Sequence, residues 1–266
     1  MCQQNDSTWV VVAAPNDAAS LATAVAKGGV IVLEGDIDLD ETIVIPTGVT
    51  ATIDLNGKTV NAPSSSAFVA KKGAELTIKN GKVVAHESTV RAQGGKIIVE
   101  SGEYTSTGTA VGTLATYRYS LDCREDGVLV VNGGTFKSNN GMINVGSTVT
   151  INGGKFENIV EESMTRHFAY VSAPLTINNG EFYGKANSGA GGCFFCGAAA
   201  TGKVTVNGGK FTSLWTSGSK NNIWESYFGG YIEIKGGIFN HNGGIEDKVT
   251  ENTHAATKDA YPYKAK

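Results

Sequence analysis

Apolar and polar residues alternate along most of the chain, and glycines interrupt the alternation at regular points. In T-V-T-I-N-G-G-K-F (residues 148–156), Val149 and Ile151 alternate with threonines, which is the period-2 pattern of a strand with one buried face. The Asn-Gly-Gly that follows favours a turn, because glycine and asparagine tolerate positive φ. An aromatic residue, Phe156, then points back to the buried side. The pattern predicts short strands joined by tight turns.

This unit recurs. Further copies occupy residues 129–136, 175–182, 204–211 and 232–239, and weaker copies occupy residues 53–60, 76–83 and 98–104. The glycine that marks the turn in each copy is Gly57, Gly81, Gly102, Gly134, Gly154, Gly180, Gly209 or Gly237. The markers are 20 residues apart from Gly134 to Gly154 and 32 apart from Gly102 to Gly134, a spacing typical of stacked repeats.

One such unit cannot bury its apolar face alone, whereas stacked units share a continuous core. Inward ladders of Ile and of Phe156, Phe182, Phe211 and Phe239 are expected in that core. The sequence therefore predicts an all-β fold, a right-handed single-stranded parallel β-helix (β-solenoid) over residues 30–244. The intervals between markers vary, which predicts constant strands with connections of variable length on one side.

The segment I-D-L-N-G-K-T-V (residues 53–60), followed by T-I-N-G-G-x-F coils, resembles the pectate-lyase-like β-helix superfamily over residues 30–244. The resemblance implies a right-handed coil. Members of that superfamily include polysaccharide lyases and hydrolases, phage tailspikes and virion fibres, and bacterial surface proteins. Its fibre-like members commonly form homotrimers, so a trimer is what the resemblance implies here. The motif indicates the fold and leaves the role open.

The two ends of the chain differ from the coils. Residues 9–13 read as a short strand, and a short helix follows, with Asn16 or Asp17 as its N-cap and Gly28 and Gly29 at its end. Its apolar stripe is Leu21, Ala24 and Val25. Residues 1–29 are thus predicted to form an N-terminal arm and a helix that covers the open end of the solenoid. Residues 245–266 are a polar tail or a second cap.

Composition and charge exclude some functions. The 35 glycines among 266 residues fit one turn per coil. A net charge of -3 gives no basic field for nucleic acid, and no apolar run is long enough to cross a membrane. No cofactor motif is evident. Met1 leads directly into a polar stretch without the pattern of a secretory signal.

That N-terminus supports two interpretations. The first is a protein made in a host cytoplasm and incorporated into a virion. The alternative is a bacterial cell-surface lipoprotein in which Cys2 is the lipid-modified first residue.

Two groups of residues could bind metal. Cys193 and Cys196 have the spacing of half a zinc site, but no second pair follows, so these thiols and that of Cys123 are interpreted as small buried apolar groups. Asp36, Asp38 and Asp40 alternate with Ile37 and Leu39 and are predicted on the outer face of one strand. Clustered carboxylates are ligands that calcium prefers, but a solvated acidic edge is the favoured interpretation.

The longer connections carry the remaining candidates. Residues 105–123, with Tyr117, Arg118 and Tyr119, read as a loop followed by a charged corner at Arg124. Residues 213–231 are the most aromatic stretch. Its candidate binding residues are Trp215, Trp224, Tyr227, Phe228 and Tyr231. Such rings suit stacking on sugars or a subunit interface, and the interface is the favoured interpretation.

Catalysis has weak support. The N-T-D, D-D and G-H-G motifs of the hydrolases that this fold resembles are absent from the sequence. The residual acid and base candidates are Glu161, Glu162, Arg166 and His167. The sequence therefore favours a non-enzymatic structural or adhesive protein.

Its favoured role is a phage virion component: a head fibre, a capsid-decoration protein or a tail-associated protein, with host glycan and other virion proteins as candidate partners. The alternatives are a cell-surface lipoprotein adhesin that binds glycan and a polysaccharide lyase or glycoside hydrolase.

Overall fold

A computed structural model describes residues 2–5, 8–11, 13–108, 119–159, 167–184, 194–213, 224–226 and 229–241. The chain starts with two short strands, β1 (Cys2–Asn5) and β2 (Thr8–Val11), which pair antiparallel. A single helix, α1 (Ala18–Lys27), follows in the described part of the chain. Three parallel sheets then account for the described remainder.

Each coil of the chain contributes one strand to each sheet in turn. The first sheet contains β3 (Gly29–Val32), β6 (Thr50–Asp54), β9 (Glu75–Lys79), β12 (Lys96–Val99), β15 (Val128–Val131), β18 (Thr148–Ile151), β21 (Pro174–Ile177), β24 (Lys203–Val206) and β27 (Tyr231–Ile234). The second contains β4 (Ile37–Asp38), β7 (Thr59–Ala62), β10 (Lys82–Ala85), β13 (Glu103–Ser106), β16 (Thr135–Ser138), β19 (Lys155–Asn158), β22 (Glu181–Gly184), β25 (Lys210–Ser213) and β28 (Ile238–His241). The third contains β5 (Ile43–Ile45), β8 (Phe68–Ala70), β11 (Val90–Gln93), β14 (Tyr119–Arg124), β17 (Gly141–Val145), β20 (Ala169–Val171), β23 (Phe195–Gly197) and β26 (Trp224–Ser226).

The register between coils follows the sequence repeat. Val149 of β18 is opposite Leu129 of β15 on one side and Leu175 of β21 on the other, in parallel pairing. The parallel β-helix predicted from the sequence is therefore confirmed. The right-handed sense of the coil stays a prediction.

Alternation within each strand builds the core. In β18, Val149 and Ile151 are buried, whereas Thr148 is exposed. The aromatic positions of the second sheet are in register and form a continuous stack with ring centroids 4.6 to 4.9 Å apart, through Tyr104, Phe136, Phe156, Phe182 and Phe211. Parallel in-register strands bring like residues together, so one favourable contact is repeated coil after coil.

The turns between the first and second sheets use glycine in two ways. Gly154 has φ 111°, a conformation that other residues seldom adopt, and Gly57, Gly102, Gly134, Gly180, Gly209 and Gly237 also have positive φ. Gly81 does not; in that turn the preceding Asn80 has positive φ, at 61°. Gly81 instead permits close packing, since a Cβ there would lie 2.3 Å from Cβ of Leu55.

The helix lies on the first coil, as predicted. Asp17 is its N-cap and accepts a 2.7 Å hydrogen bond from the Ser20 amide. The chain leaves the helix at Gly28, which has φ 73°. The predicted stripe of Leu21, Ala24 and Val25 is buried, and the helix packs against β3 and β5. Ahead of it, the predicted strand at residues 9–13 is divided between β2 and a single bridge from Ala13 to Ile31.

Candidate functional site

Connections of variable length are concentrated at one edge of the solenoid. The connections from the second to the third sheet span residues 39–42, 63–67, 86–89, 107–118, 139–140, 159–168, 185–194 and 214–223. The connections at the other two corners are short; in the coil that contains β18, for example, they span residues 152–154 and 146–147. We call the corner with the long insertions the loop edge. Repeat proteins commonly display recognition surfaces at such a corner.

The weak catalytic candidates belong to this edge. Glu161, Glu162 and Arg166 lie outside the described residues. His167, at the end of the same connection, is half-buried. The structure therefore provides no geometry for an acid and base pair at these positions.

The outer face of the third sheet adjoins the loop edge and carries a polar column. Arg91 of β11, Asp122 of β14, Asn144 of β17 and Tyr170 of β20 are in register on neighbouring strands. Their neighbours Leu121 and Cys123 point into the core. Because strand residues alternate between faces, these side chains stand side by side on the outer surface.

Asp122 is the centre of this column. Its side chain is only 2% exposed, yet its carboxylate accepts hydrogen bonds from three side chains. Arg91 Nε donates to Oδ2 at 2.8 Å, and Asn144 Nδ2 donates to Oδ1 at 2.8 Å. The guanidinium of Arg124 donates to both oxygens, through Nε to Oδ1 at 3.0 Å and through Nη2 to Oδ2. A buried polar group without hydrogen-bond partners is strongly unfavourable, and these donors satisfy both carboxylate oxygens.

We call this group the Asp122 clamp: Arg91, Asp122, Arg124 and Asn144. It connects three consecutive coils, because Arg91 and Asn144 lie on the strands that flank β14. Arg91 Nη2 also lies 3.5 Å from a carboxylate oxygen of Glu87. With four donors on its two oxygens, Asp122 is engaged as an acceptor and poorly placed to transfer a proton. The solvent-accessible part of the clamp is cationic, since the Arg91 and Arg124 side chains are 24% and 41% exposed.

The sequence carries no motif that marks the polar column, and the prediction of a loop over residues 105–123 is wrong at its C-terminal end. Tyr119 and Asp122 instead belong to a strand, β14, in which Tyr119 is 7% exposed. A signal was available in the sequence, because Leu121 and Cys123 repeat the alternation of Val90 and Ala92 in the coil before.

The aromatic candidates are only partly placed. Trp215, Tyr227 and Phe228 lie outside the described residues. The backbone of Trp224 belongs to β26, in register with Phe195. Tyr231 is at the start of β27, on the first sheet, and is 38% exposed. Its ring lies under the ammonium of Lys203, 5.3 Å from the centroid, and the hydrogen bond to Tyr231 is the largest cause of a raised Lys203 pKa.

The acidic residues at the start of the solenoid point outward. Asp36 accepts a hydrogen bond from the Thr59 amide at 2.8 Å, and Asp38 accepts one from the Asn61 side chain at 3.0 Å. Asp40 is exposed at the end of this segment. In the described segments, no three His, Cys, Asp or Glu side chains are grouped so that they could hold a metal ion.

Two of the described cysteines, Cys123 and Cys196, are buried in the solenoid. Burial, together with the nearby charge of Asp122, raises the pKa of the Cys123 thiol to about 12, so that thiol is protonated and unreactive at neutral pH. Cys193 lies outside the described residues.

Comparisons with known proteins identify no relative of this chain. No protein-family model, no curated protein and no solved structure matches this chain. Within the residues that the structure describes, no helix is long and apolar enough to cross a membrane. The parallel β-helix fold thus stands on strand register and on the sequence repeat.

Proposed function

We propose that this protein is a non-enzymatic structural and adhesive β-helix, carried on a phage virion as a head fibre, capsid-decoration or tail-associated protein. We further propose that it belongs to the pectate-lyase-like superfamily that its repeat resembles. The loop edge, together with the outer face of the third sheet, is its recognition surface, and host glycan is the proposed ligand.

One observation carries this proposal. The long insertions at residues 107–118, 159–168, 185–194 and 214–223 all leave the same corner of the solenoid. A scaffold with constant coils tolerates insertions at any corner, so their concentration at one corner favours a surface selected for binding. The insertion at residues 214–223 contains Trp215 and lies beside Trp224 in the sequence, and tryptophan is enriched at both protein and sugar interfaces.

The Asp122 clamp supports a binding role over catalysis. A glycosidase needs two carboxyl groups at the scissile bond, one that donates a proton to the leaving oxygen and one that acts as base or nucleophile. The buried carboxylate on this face is instead engaged by two arginines and an asparagine. The exposed guanidinium surfaces beside it suit hydrogen bonding to sugar hydroxyl and carboxylate groups.

A loop replacement tests the recognition surface. Residues 214–223 would be replaced by Asn-Asn, copied from the connection at residues 139–140, which joins the same two sheets. The matched control replaces the partly exposed Glu75 and Lys96 of the first sheet by alanine. Binding of labelled protein to a glycan array and to host bacteria is expected to fall in the loop variant and to persist in the control. Equal binding by wild type and loop variant would remove this edge from the proposal.

The virion assignment has its own test. Antibodies against the purified protein are expected to label phage particles in electron micrographs of the producing culture. Labelling of bacterial envelopes instead would contradict the virion proposal and favour a lipoprotein attached through Cys2.

We also propose a homotrimer, for which light scattering is expected to give three times the chain mass of 27.7 kDa. A monomer at all concentrations would contradict it.

A further inference from the structure

A groove lies on the opposite side of the second sheet from the loop edge. It has a volume of about 660 Å³ and follows the turns that join the first sheet to the second. Its lining comes from equivalent positions in four consecutive coils, so the groove runs along the axis of the solenoid. A ligand that fits this shape is extended rather than compact.

The floor of the groove is backbone. Gly153, Gly154, Gly208 and Gly209 line it. Among the described residues, none accepts a hydrogen bond from the N–H groups of these glycines. The turn at Gly180, which lies between these two, differs because the Gly180 N–H donates to the side chain of Asn179 at 2.9 Å. Two of the turns therefore offer free donors to a ligand.

A row of amide side chains lies next to the groove, since Asn152 and Asn207 directly precede the lining residues Gly153 and Gly208. Asn132, Asn152, Asn178 and Asn207 are exposed and form a ladder, with hydrogen bonds of 2.7 to 2.8 Å between successive amides. Each ladder bond uses one amide N–H and one oxygen lone pair, so the amides within the ladder retain a donor and an acceptor. Sugar hydroxyl groups, which both donate and accept, match such a surface.

Charged residues line the groove itself. Lys155, Glu181 and Lys210 are in register at the starts of β19, β22 and β25. Within the described part of the chain, none of the three lies within 4.0 Å of an opposite charge. Tyr183 lies between Lys155 and Glu181. Lys155 Nζ is 5.2 Å from the centroid of the Tyr183 ring, and the Tyr183 hydroxyl donates a hydrogen bond to Glu181 at 3.0 Å.

The spacing of these charges restricts the ligand. Adjacent parallel strands are about 4.8 Å apart, so Lys155 and Lys210, two coils apart, are separated by about 10 Å along the axis. Glu181 lies between them and disfavours a negative charge at the intermediate position. The row therefore matches a polymer whose negative groups occur at every second unit.

We propose that this groove binds a linear acidic polysaccharide with one carboxylate per disaccharide. Its carboxylates pair with Lys155 and Lys210, and its hydroxyl groups bind the Asn ladder and the free glycine N–H groups. The uncharged sugar lies opposite Glu181. The inference goes beyond the proposed function, because it uses no residue of the loop edge and holds whether or not that edge binds glycan.

The test uses the full-length protein and three polymers: hyaluronan, which carries one carboxylate per disaccharide, polygalacturonate, which carries one per sugar, and neutral dextran. Binding is measured by isothermal titration calorimetry at low and high salt. Hyaluronan is expected to bind more tightly than polygalacturonate, and dextran to bind weakly. The protein's net charge of -3 gives no general attraction to polyanions.

Two double variants with the same change in charge locate the site. Lys155→Gln with Lys210→Gln is expected to weaken hyaluronan binding about tenfold, the scale of losing two partly exposed ionic hydrogen bonds. The control, Lys82→Gln with Lys137→Gln, changes two exposed lysines of the same sheet that do not line the groove and is expected to bind as wild type. Circular dichroism checks that both variants are folded.

Three results would overturn the inference. The first is a wild-type protein that binds none of the polymers. The second is an equal loss of binding in both double variants, which would indicate general charge attraction. The third is a change in oligomer mass, without a change in hyaluronan binding, in the Lys155 and Lys210 variant, which would make the groove a subunit contact.

Discussion

Asp122→Ala is expected to destabilise the coil more than any change to a surface ion pair. The Asp122 carboxylate, 2% exposed, accepts from Arg91, Arg124 and Asn144. Its removal leaves these donors without their acceptor in three consecutive coils. Breaking a buried ion pair typically costs about 3–5 kcal/mol. Because the Arg91 and Arg124 side chains are 24% and 41% exposed, water replaces part of the lost bonding, and we expect a loss of about 2–4 kcal/mol.

The assay is chemical denaturation followed by circular dichroism. Asp122→Ala, Arg91→Ala and the double variant form a cycle, and the expected coupling energy is about 1.5–3 kcal/mol. The control is Glu75→Ala. Glu75 pairs with Lys96 between neighbouring coils at 3.1 Å, but the two side chains are 38% and 41% exposed, so its loss should cost less than about 1 kcal/mol.

This comparison can refute the reasoning. A loss in Asp122→Ala no larger than in Glu75→Ala would mean that the clamp adds nothing beyond an exposed pair. A coupling energy near zero would mean that Arg91 and Asp122 do not stabilise the fold through each other.

Two further predictions concern a turn glycine and the buried thiol and phenol groups. Gly154→Val is expected to cost at least about 1–3 kcal/mol, because φ is 111° and a Cβ would lie 3.0 Å from the Gly134 carbonyl oxygen; an unchanged melting temperature would contradict this. Burial, and to a lesser extent the charge of Asp122, raise the pKa of the Cys123 thiol in the folded state from 9.0 to about 12. The unfolded state therefore releases this proton at lower pH than the folded state. The free energy of unfolding is expected to fall as the pH rises above 9.0. Burial raises the pKa of Tyr104 as well, so its effect has the same sign, and a denaturation midpoint that stays constant between about pH 7 and about pH 11 would disprove both assignments.

The coils could be predicted because each one repeats the same physical solution. Alternation marks the strands of the first sheet, glycine marks the turn, and an inward aromatic residue such as Phe156 marks the second sheet. The helix could be predicted equally well. Asp17 marks its start, the apolar stripe marks its buried face, and Gly28 marks its end.

The third sheet was harder to predict for a physical reason. Its strands follow connections of different length, so residues such as Asp122 and Asn144 have no fixed distance from the glycine marker. A polar residue between two apolar ones also reads as an exposed strand position, whereas Asp122 is buried by its own partners. Hydrogen bonds between coils depend on register, which single coils do not encode.

The most direct test of the central claim measures binding and turnover in one sample. Wild-type protein would be incubated with the polysaccharides to which it binds on the glycan array. Both the fraction of polysaccharide bound and the polymer length would be followed. The account predicts saturable binding, reduced by the replacement of residues 214–223, with polymer length and reducing ends unchanged. Progressive shortening of the bound polysaccharide would contradict it and make the protein an enzyme.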